Sequence, residues 1–455
     1  MSISLSERGD HIIRVLVATL ILAAVALVSA VSALLRPVAD DYAHGALAID
    51  GFWGATSQWW VGWSGDISLI IGQVLVVGMP LAWFPLGVAS SVGFLLSGLF
   101  VGGLGVVVLG LAKNVRGWPV ISVWAVITLS WWVFLWVREL AMPNSENRAV
   151  AEFLTHWQTV NVAYVIFPAL NVAVFLFLIR GSLPRGKMSG AVVLMLGLIA
   201  GTSGLVMGAA LAAFAMVVAL AKWVTSGFRS TLSIFLYAVS AFGGVVIAIS
   251  APGARARSEY LPDVELQNFI FDIFRSVPRG VGNWLGFVIS YETLLVMGVG
   301  VLTAWLVGVY QSPSRNRVLW ETIVLLIPLS LLVSVIAAVS QLASYQAHWH
   351  FVSTRLLVFV SALALGHGLY FVVRGFLARK KLGVTSVWVV KLSTIASVLG
   401  LLSAGAVAMA SSVIDRELAW ESGEAPLRGA QDREEELWRT GWEKIEEHRS
   451  NRFGP

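Results

Sequence analysis

Apolar residues run through this chain in long unbroken blocks separated by short polar intervals, and they seldom alternate. The blocks are Val15–Leu35, Ile67–Leu111, Pro119–Val137, Asn161–Ile179, Ala191–Ala221, Leu232–Ile249, Leu285–Val309, Ile323–Val339, Leu356–Val373 and Val387–Met409. Most approach the ~20 residues that a helix needs to cross a ~30 Å hydrocarbon layer. Two are too long for one helix. Gly201–Gly204 divides Ala191–Ala221 into a hairpin whose tip is expected at the outer face. Gly78-Met79-Pro80 and Trp83-Phe84-Pro85 interrupt Ile67–Leu111, giving either two helices or one crossing with a re-entrant piece. Continuous apolar runs satisfy their backbone inside lipid as helices, not as barrel strands. The pattern therefore predicts an all-α, polytopic transmembrane helical bundle.

Charge orients that bundle. Basic residues fall in short loops at Arg8 and Arg14, Lys113 and Arg116, Arg180 to Lys187, Lys222 and Arg229, Arg315 and Arg317, and Arg374 to Lys381. By the positive-inside bias these loops are cytoplasmic. The N-terminus is then inside, the C-terminus outside and the number of crossings odd, about eleven. The expected outer loops are 36–66, 138–158, 250–284 and 341–355, within a membrane domain over 1–410. An extracytoplasmic tail follows over 411–455. Composition agrees: 57% apolar, 13% charged and no cysteine, with a net charge of +5. The positive excess sits in loops, where it reads as topology and contact with membrane lipids, not as nucleic-acid binding. The first apolar block is too long for the core of a cleavable signal peptide and is kept as a span.

The unusual polar residues gather on the outer loops. Asp40-Asp41 follows the first span, then His44 and the tryptophans Trp53, Trp59, Trp60 and Trp63. An aspartate there caps a helix, or acts as general base toward a hydroxyl, or helps hold a divalent cation. The tryptophans read as interfacial anchors. Ala251-Pro252-Gly253-Ala254-Arg255-Ala256-Arg257 presents two guanidinium groups, suited to phosphate or to pairing with Glu259 and Asp263. His348 and His350 stand two apart, which does not suit one metal on a helix, and Arg355 follows at the membrane boundary. Those three residues are candidates for contacts to a substrate phosphate. In the tail, Trp438, Trp442 and Ile445 make a narrow apolar stripe among charges, on a helix that either lies on the membrane or covers the outer site.

The acidic pair just past the first span resembles the GT-C class of polytopic glycosyltransferases. More closely, the chain resembles a bacterial family of GT-C-like membrane proteins with four marks: Asp-Asp-Tyr/Phe, W-x-G-R, W-x-x-x-N-Y and A-P-G-N-x-x-R. Here these correspond to Asp40-Asp41-Tyr42, Trp63-Ser64-Gly65-Asp66, Trp157 to Asn161, and Ala251-Pro252-Gly253 with Arg255 and Arg257. Asp66 replaces a basic residue, Ala254 replaces an asparagine, and Tyr164 comes three residues after Asn161. The resemblance implies transfer of a sugar from a polyprenyl-phosphate donor to a glycan, lipid or protein acceptor on the extracytoplasmic side. Asp40 or Asp41 would be the base or a cation contact. Arg255 and Arg257 would contact phosphate, with His44, His348, His350 and Arg355 as further substrate-binding candidates. The rival readings are a transporter of lipid-linked sugars and a non-catalytic envelope assembly subunit.

Overall fold

A computed structural model describes residues 5–35, 37, 40–62, 64–111, 118–141, 155–181, 187–258, 266–307, 315–340, 350–379, 384–421 and 432–453. The described residues form helices and no strand. Eight helices are long and apolar enough to cross a membrane, and a bent pair makes a ninth candidate. The protein is a polytopic helical membrane protein.

In chain order the helices are α1 (Leu5–Val31), α2 (Asp40–Ala48), α3 (Phe52–Gly62), α4 (Ile67–Trp83), α5 (Leu86–Val108), α6 (Trp118–Ala141), α7 (Gln158–Ile179), α8 (Lys187–Gly201) and α9 (Leu205–Ser226). They continue as α10 (Phe228–Ser250), α11 (Pro252–Ser258), α12 (Leu266–Val288), α13 (Tyr291–Val307), α14 (residues 315–340), α15 (His350–Arg379), α16 (Val384–Glu421) and α17 (Asp432–Phe453). Every apolar block read from the pattern is helical.

Several intervals expected as outer loops are helical too. The interval 36–66 contains α2 and α3, and 250–284 contains α11 and most of α12. Within 341–355, α15 has already begun at His350. In 138–158, α6 runs on to Ala141 and α7 starts at Gln158. The reason is amphipathicity: α12 is apolar along one face only, so a window average reads it as polar. Its inner face packs on α14, where the Ser334 hydroxyl donates to the Gly280 carbonyl (2.8 Å) and Trp284 Nε1 to Ser330 Oγ (2.8 Å). The chain then bends by 50° before α13.

Glycine and tryptophan set the centre of the bundle. Gly98 and Gly102 on α5 face Trp132, Trp124 and Thr128 of α6 with no room for a Cβ, so the backbones lie close. The indoles donate into α5, Trp132 to Phe94 O (3.1 Å) and Trp124 to Leu99 O (2.9 Å).

Three helices share one device. In these three a π-turn precedes a proline: Val74–Gly78 before Pro80, Val162–Ile166 before Pro168, and Thr322–Leu326 before Pro328. Proline has no N–H and its ring crowds the carbonyl four residues back, so a widened turn accommodates it with the helix intact. Pro168 cannot bond the Tyr164 carbonyl, and the Ser353 hydroxyl of α15 donates to that oxygen instead (3.1 Å).

Contacts fix which ends lie together. Arg180 at the end of α7 donates to Val107 O and Val108 O at the end of α5, and to Glu321 near the start of α14. Lys222 of α9 reaches Ile179 O (3.3 Å). At the opposite end, Gly87 packs on Ala33, just past α1, while Gly65 packs on Ala248 and Ala251 at the end of α10. Helix α4 therefore enters from beside Gly65 and leaves beside Gly87 at the same end of the bundle. The hairpin tip at Thr202 and Ser203 is buried in the bundle. The Thr202 carbonyl accepts from Ser68 N and Leu69 N at the start of α4, and Asn171, midway along α7, donates to Ser203 Oγ (2.8 Å).

Candidate functional site

Helix α2 opens on two carboxylates, which favour the positive end of a helix dipole. Their environments differ sharply. Asp40 is half-buried. Asp41 is wholly buried and points at α7: Oδ1 accepts from Thr159 N (2.9 Å) and Thr159 Oγ1 (2.7 Å), and Oδ2 from Gln158 N (3.2 Å). The first amides of a helix lack intrahelical partners. At α7 the residue in the capping position is Trp157, whose side chain makes no capping bond. Asp41 supplies that cap from 117 residues away in sequence. Of the alternatives open for this residue, capping is the one its contacts realise.

The corner ahead of α7 is tied down as well. The Gln158 side chain accepts from Phe94 N and donates to His156 O (3.0 Å), while Trp136 Nε1 donates to Thr155 Oγ1 (2.9 Å). A fixed corner keeps the two capped amides aimed at α2.

His44, one turn after Asp40, is buried and stacked on Trp59 of α3, with ring centroids 4.3 Å apart. Its Nδ1 has no hydrogen-bond partner among the described residues. Burial pushes its pKa down to about 3, so the ring is neutral at physiological pH. Among the tryptophans, Trp59 is thus a packing partner as well as an interfacial residue.

The proline-glycine turn packs on the tryptophan loop. Gly253 lies against the backbone of Trp60 and Ser64, so close that a Cβ would clash. Helix α11 therefore sits on α3, with Arg255 exposed. The side chains of Arg257 and His350 lie outside the described residues, as do Trp63 and His348 altogether.

Arg355 lines a separate small cavity, about 10 Å³, room for one water. Its guanidinium lies over the Phe287 ring at 4.8 Å, and Ser290, Glu292 and Thr293 complete the polar lining. Glu292 is buried, at the restart of the helix after the 50° bend. Sequence reasoning passed over it, although a carboxylate inside an apolar block is itself a signal. Gln158 and Thr159 were visible only as part of a motif, and nothing local marked them as partners of Asp41.

The donor set does not fit a divalent cation. Both Asp41 oxygens already accept hydrogen bonds, and no group of three His, Cys, Asp or Glu among the described residues is placed to hold a metal.

No family model, curated protein or solved structure matches this chain.

Proposed function

We propose that this protein is a membrane glycosyltransferase that moves a sugar from a polyprenyl-phosphate donor to a cell-envelope acceptor on the extracytoplasmic face. One observation carries the reading: segments far apart in sequence that resemble the GT-C-like pattern are neighbours in space. Asp41 caps the helix that begins at Gln158, and Gly253 packs on Trp60 and Ser64.

The topology of this reading has eleven crossings, with the N-terminus inside and the C-terminus outside. Helix α4 does not cross, because both its ends lie beside the ends of α1 and α10. It is a re-entrant segment, and that restores the odd parity which the basic loops require.

In this reading the two aspartates divide the work. Asp41 is saturated by three donors and holds α2 on α7. Asp40 is the general base. It takes the proton of the acceptor hydroxyl as that oxygen bonds the anomeric carbon. The bond from that carbon to the donor phosphate oxygen breaks, and polyprenyl phosphate leaves. Arg255 is the cation offered to the departing phosphate.

Complementation of a deletion strain tests this, with membrane levels matched and envelope glycans profiled. Asp40→Asn is expected to lose one glycan linkage at normal abundance, a rate loss on the order of 10²–10⁴-fold. Asp41→Asn is expected to act through protein abundance. A full glycan profile in the Asp40→Asn strain would overturn the assignment.

The broken pair α12–α13, with Glu292 buried at its restart, favours a second reading as a transporter of lipid-linked sugars. Loss of function in Glu292→Gln with Asp40→Asn still active would select it.

A further inference from the structure

The acidic tail ends in a helix that grips the candidate site. Along α17, Gly441, Trp442, Ile445, Arg449 and Arg452 fall three to four residues apart and form one face. Ile445 is 1% exposed and inserts between Gly45 of α2 and Leu81 of α4. Gly441 lies on the Tyr42 backbone, and Tyr42, Ala46 and Ile445 form a small apolar cluster with Ile49, Trp157 and Trp442.

The same face grips the end of α4. Arg449 donates to Leu81 O (3.3 Å) and Phe84 O (2.8 Å), carbonyls at a helix C-terminus where intrahelical donors run out. The Arg452 guanidinium lies over Trp83 at 4.2 Å, and Lys444 pairs with Asp50 (3.0 Å). Tyr42, Gly45, Ala46 and Ile49 are one face of α2, at spacings of three and four. Asp40 and His44 belong to the opposite face, so the tail holds α2 from behind and does not cover the carboxylate.

We propose that α17 is a detachable clamp: the groove between α2 and the end of α4 is a docking surface whose occupant is the chain's own C-terminal helix, and docking fixes the position of Asp40. Ile445 and Arg449 are its positioning residues. The role assigned to Asp40 rests on the glycosyltransferase reading, whereas the clamp itself is read from structure alone. Detachability follows from the contact chemistry. One inserted aliphatic side chain with Gly441 and Trp442 beside it, one arginine fork, one arginine over Trp83 and one exposed ion pair make a small interface on an otherwise charged helix.

Hydrogen exchange on the full-length protein in lipid nanodiscs tests the clamp. Ile445→Asp and Arg449→Ala are expected to speed exchange of the α2 amides and of the last turn of α4, the former by at least about tenfold, with α5 and α6 unchanged. Ile445→Val is expected to keep nearly wild-type protection, which separates a graded packing role from misfolding. The chain has no cysteine, so Asp50→Cys with Lys444→Cys provides a single cross-linkable pair. A short bifunctional maleimide is expected to join them and to restore α2 protection in the Ile445→Asp background.

Wild-type exchange in Ile445→Asp, or a cysteine pair that does not cross-link, would overturn the clamp. The glycan profile of the same strains separates the two claims. Faster exchange in Ile445→Asp with an active Asp40→Asn sinks the glycosyltransferase reading and leaves the clamp standing. An inactive Asp40→Asn with unchanged exchange in Ile445→Asp sinks the clamp alone.

Discussion

The two ends of the bundle close by opposite means. At the basic end, side-chain charges meet each other: Arg180 forks onto Glu321, Arg317 joins the same carboxylate at 2.8 Å, and Arg180 also caps the carbonyls that end α5. At the acidic end, Asp41 meets backbone: two amides and one hydroxyl at the start of α7. Each device terminates a helix, and each uses the charge its dipole favours, cation at the C-terminus and anion at the N-terminus. The difference lies in what remains. The arginine–glutamate cluster joins two cations to one carboxylate and to the carbonyls that end α5, and reads as a lock. The aspartate cap uses one carboxylate of an adjacent pair, and the other, Asp40, stands half-buried at the head of a helix that α3, α7 and α17 hold from three sides.

Substitutions at five positions sharpen this contrast, starting with the largest effect. Glu321→Ala strands the half-buried Arg180 and is expected to destabilise by about 3–5 kcal/mol in thermal unfolding in detergent. An unchanged melting point would mean that the lock is closed by the arginine–carbonyl bonds alone.

Acid comes next. His44 has a folded pKa of about 3 against an ordinary 6.5, so between those values the unfolded chain binds a proton that the folded chain does not. Stability is unaffected above pH 6.5 and falls as pH drops through the window, by about 2 kcal/mol at pH 5. His44→Phe keeps a ring for Trp59 and is expected to flatten this part of the pH–stability profile. An unaltered profile in that variant would place the acid sensitivity elsewhere.

Asp41→Ala removes the distant cap and is expected to cost about 1–2 kcal/mol, Asp41→Asn less, since asparagine also caps. Asp40→Asn should leave stability within about 0.5 kcal/mol. Equal melting points for Asp40→Ala and Asp41→Ala would erase the distinction between the two carboxylates. Ser353→Ala, which deprives Tyr164 O of its donor, is expected to cost about 1 kcal/mol.

Much of this was open to inspection before any fold was known. The apolar blocks marked every spanning or re-entrant helix, because in lipid the backbone must be satisfied within each segment and the signal is local. Pro80 likewise marked a break, whereas Pro168 and Pro328 passed inside blocks read as plain spans. Helix α12 fell in an interval expected as a loop because only one face of it is apolar, and α2 and α3 because each is too short to span. Glu292 was missed because a single charge hardly changes the average of a long apolar block.

By itself, then, the sequence determined a helical, multi-pass membrane protein with its basic residues in short loops and its unusual polar residues in other intervals. Tertiary structure decided what those polar residues do. Asp41 caps a helix that starts 117 residues later, the residues flanking α4 pack on the ends of α1 and α10, and the tail grips α2. Hydropathy is a property of a short window, and a window can be read from a string. A distant cap and a helix-on-helix contact are relations between windows, and only packing in three dimensions chooses which of them meet.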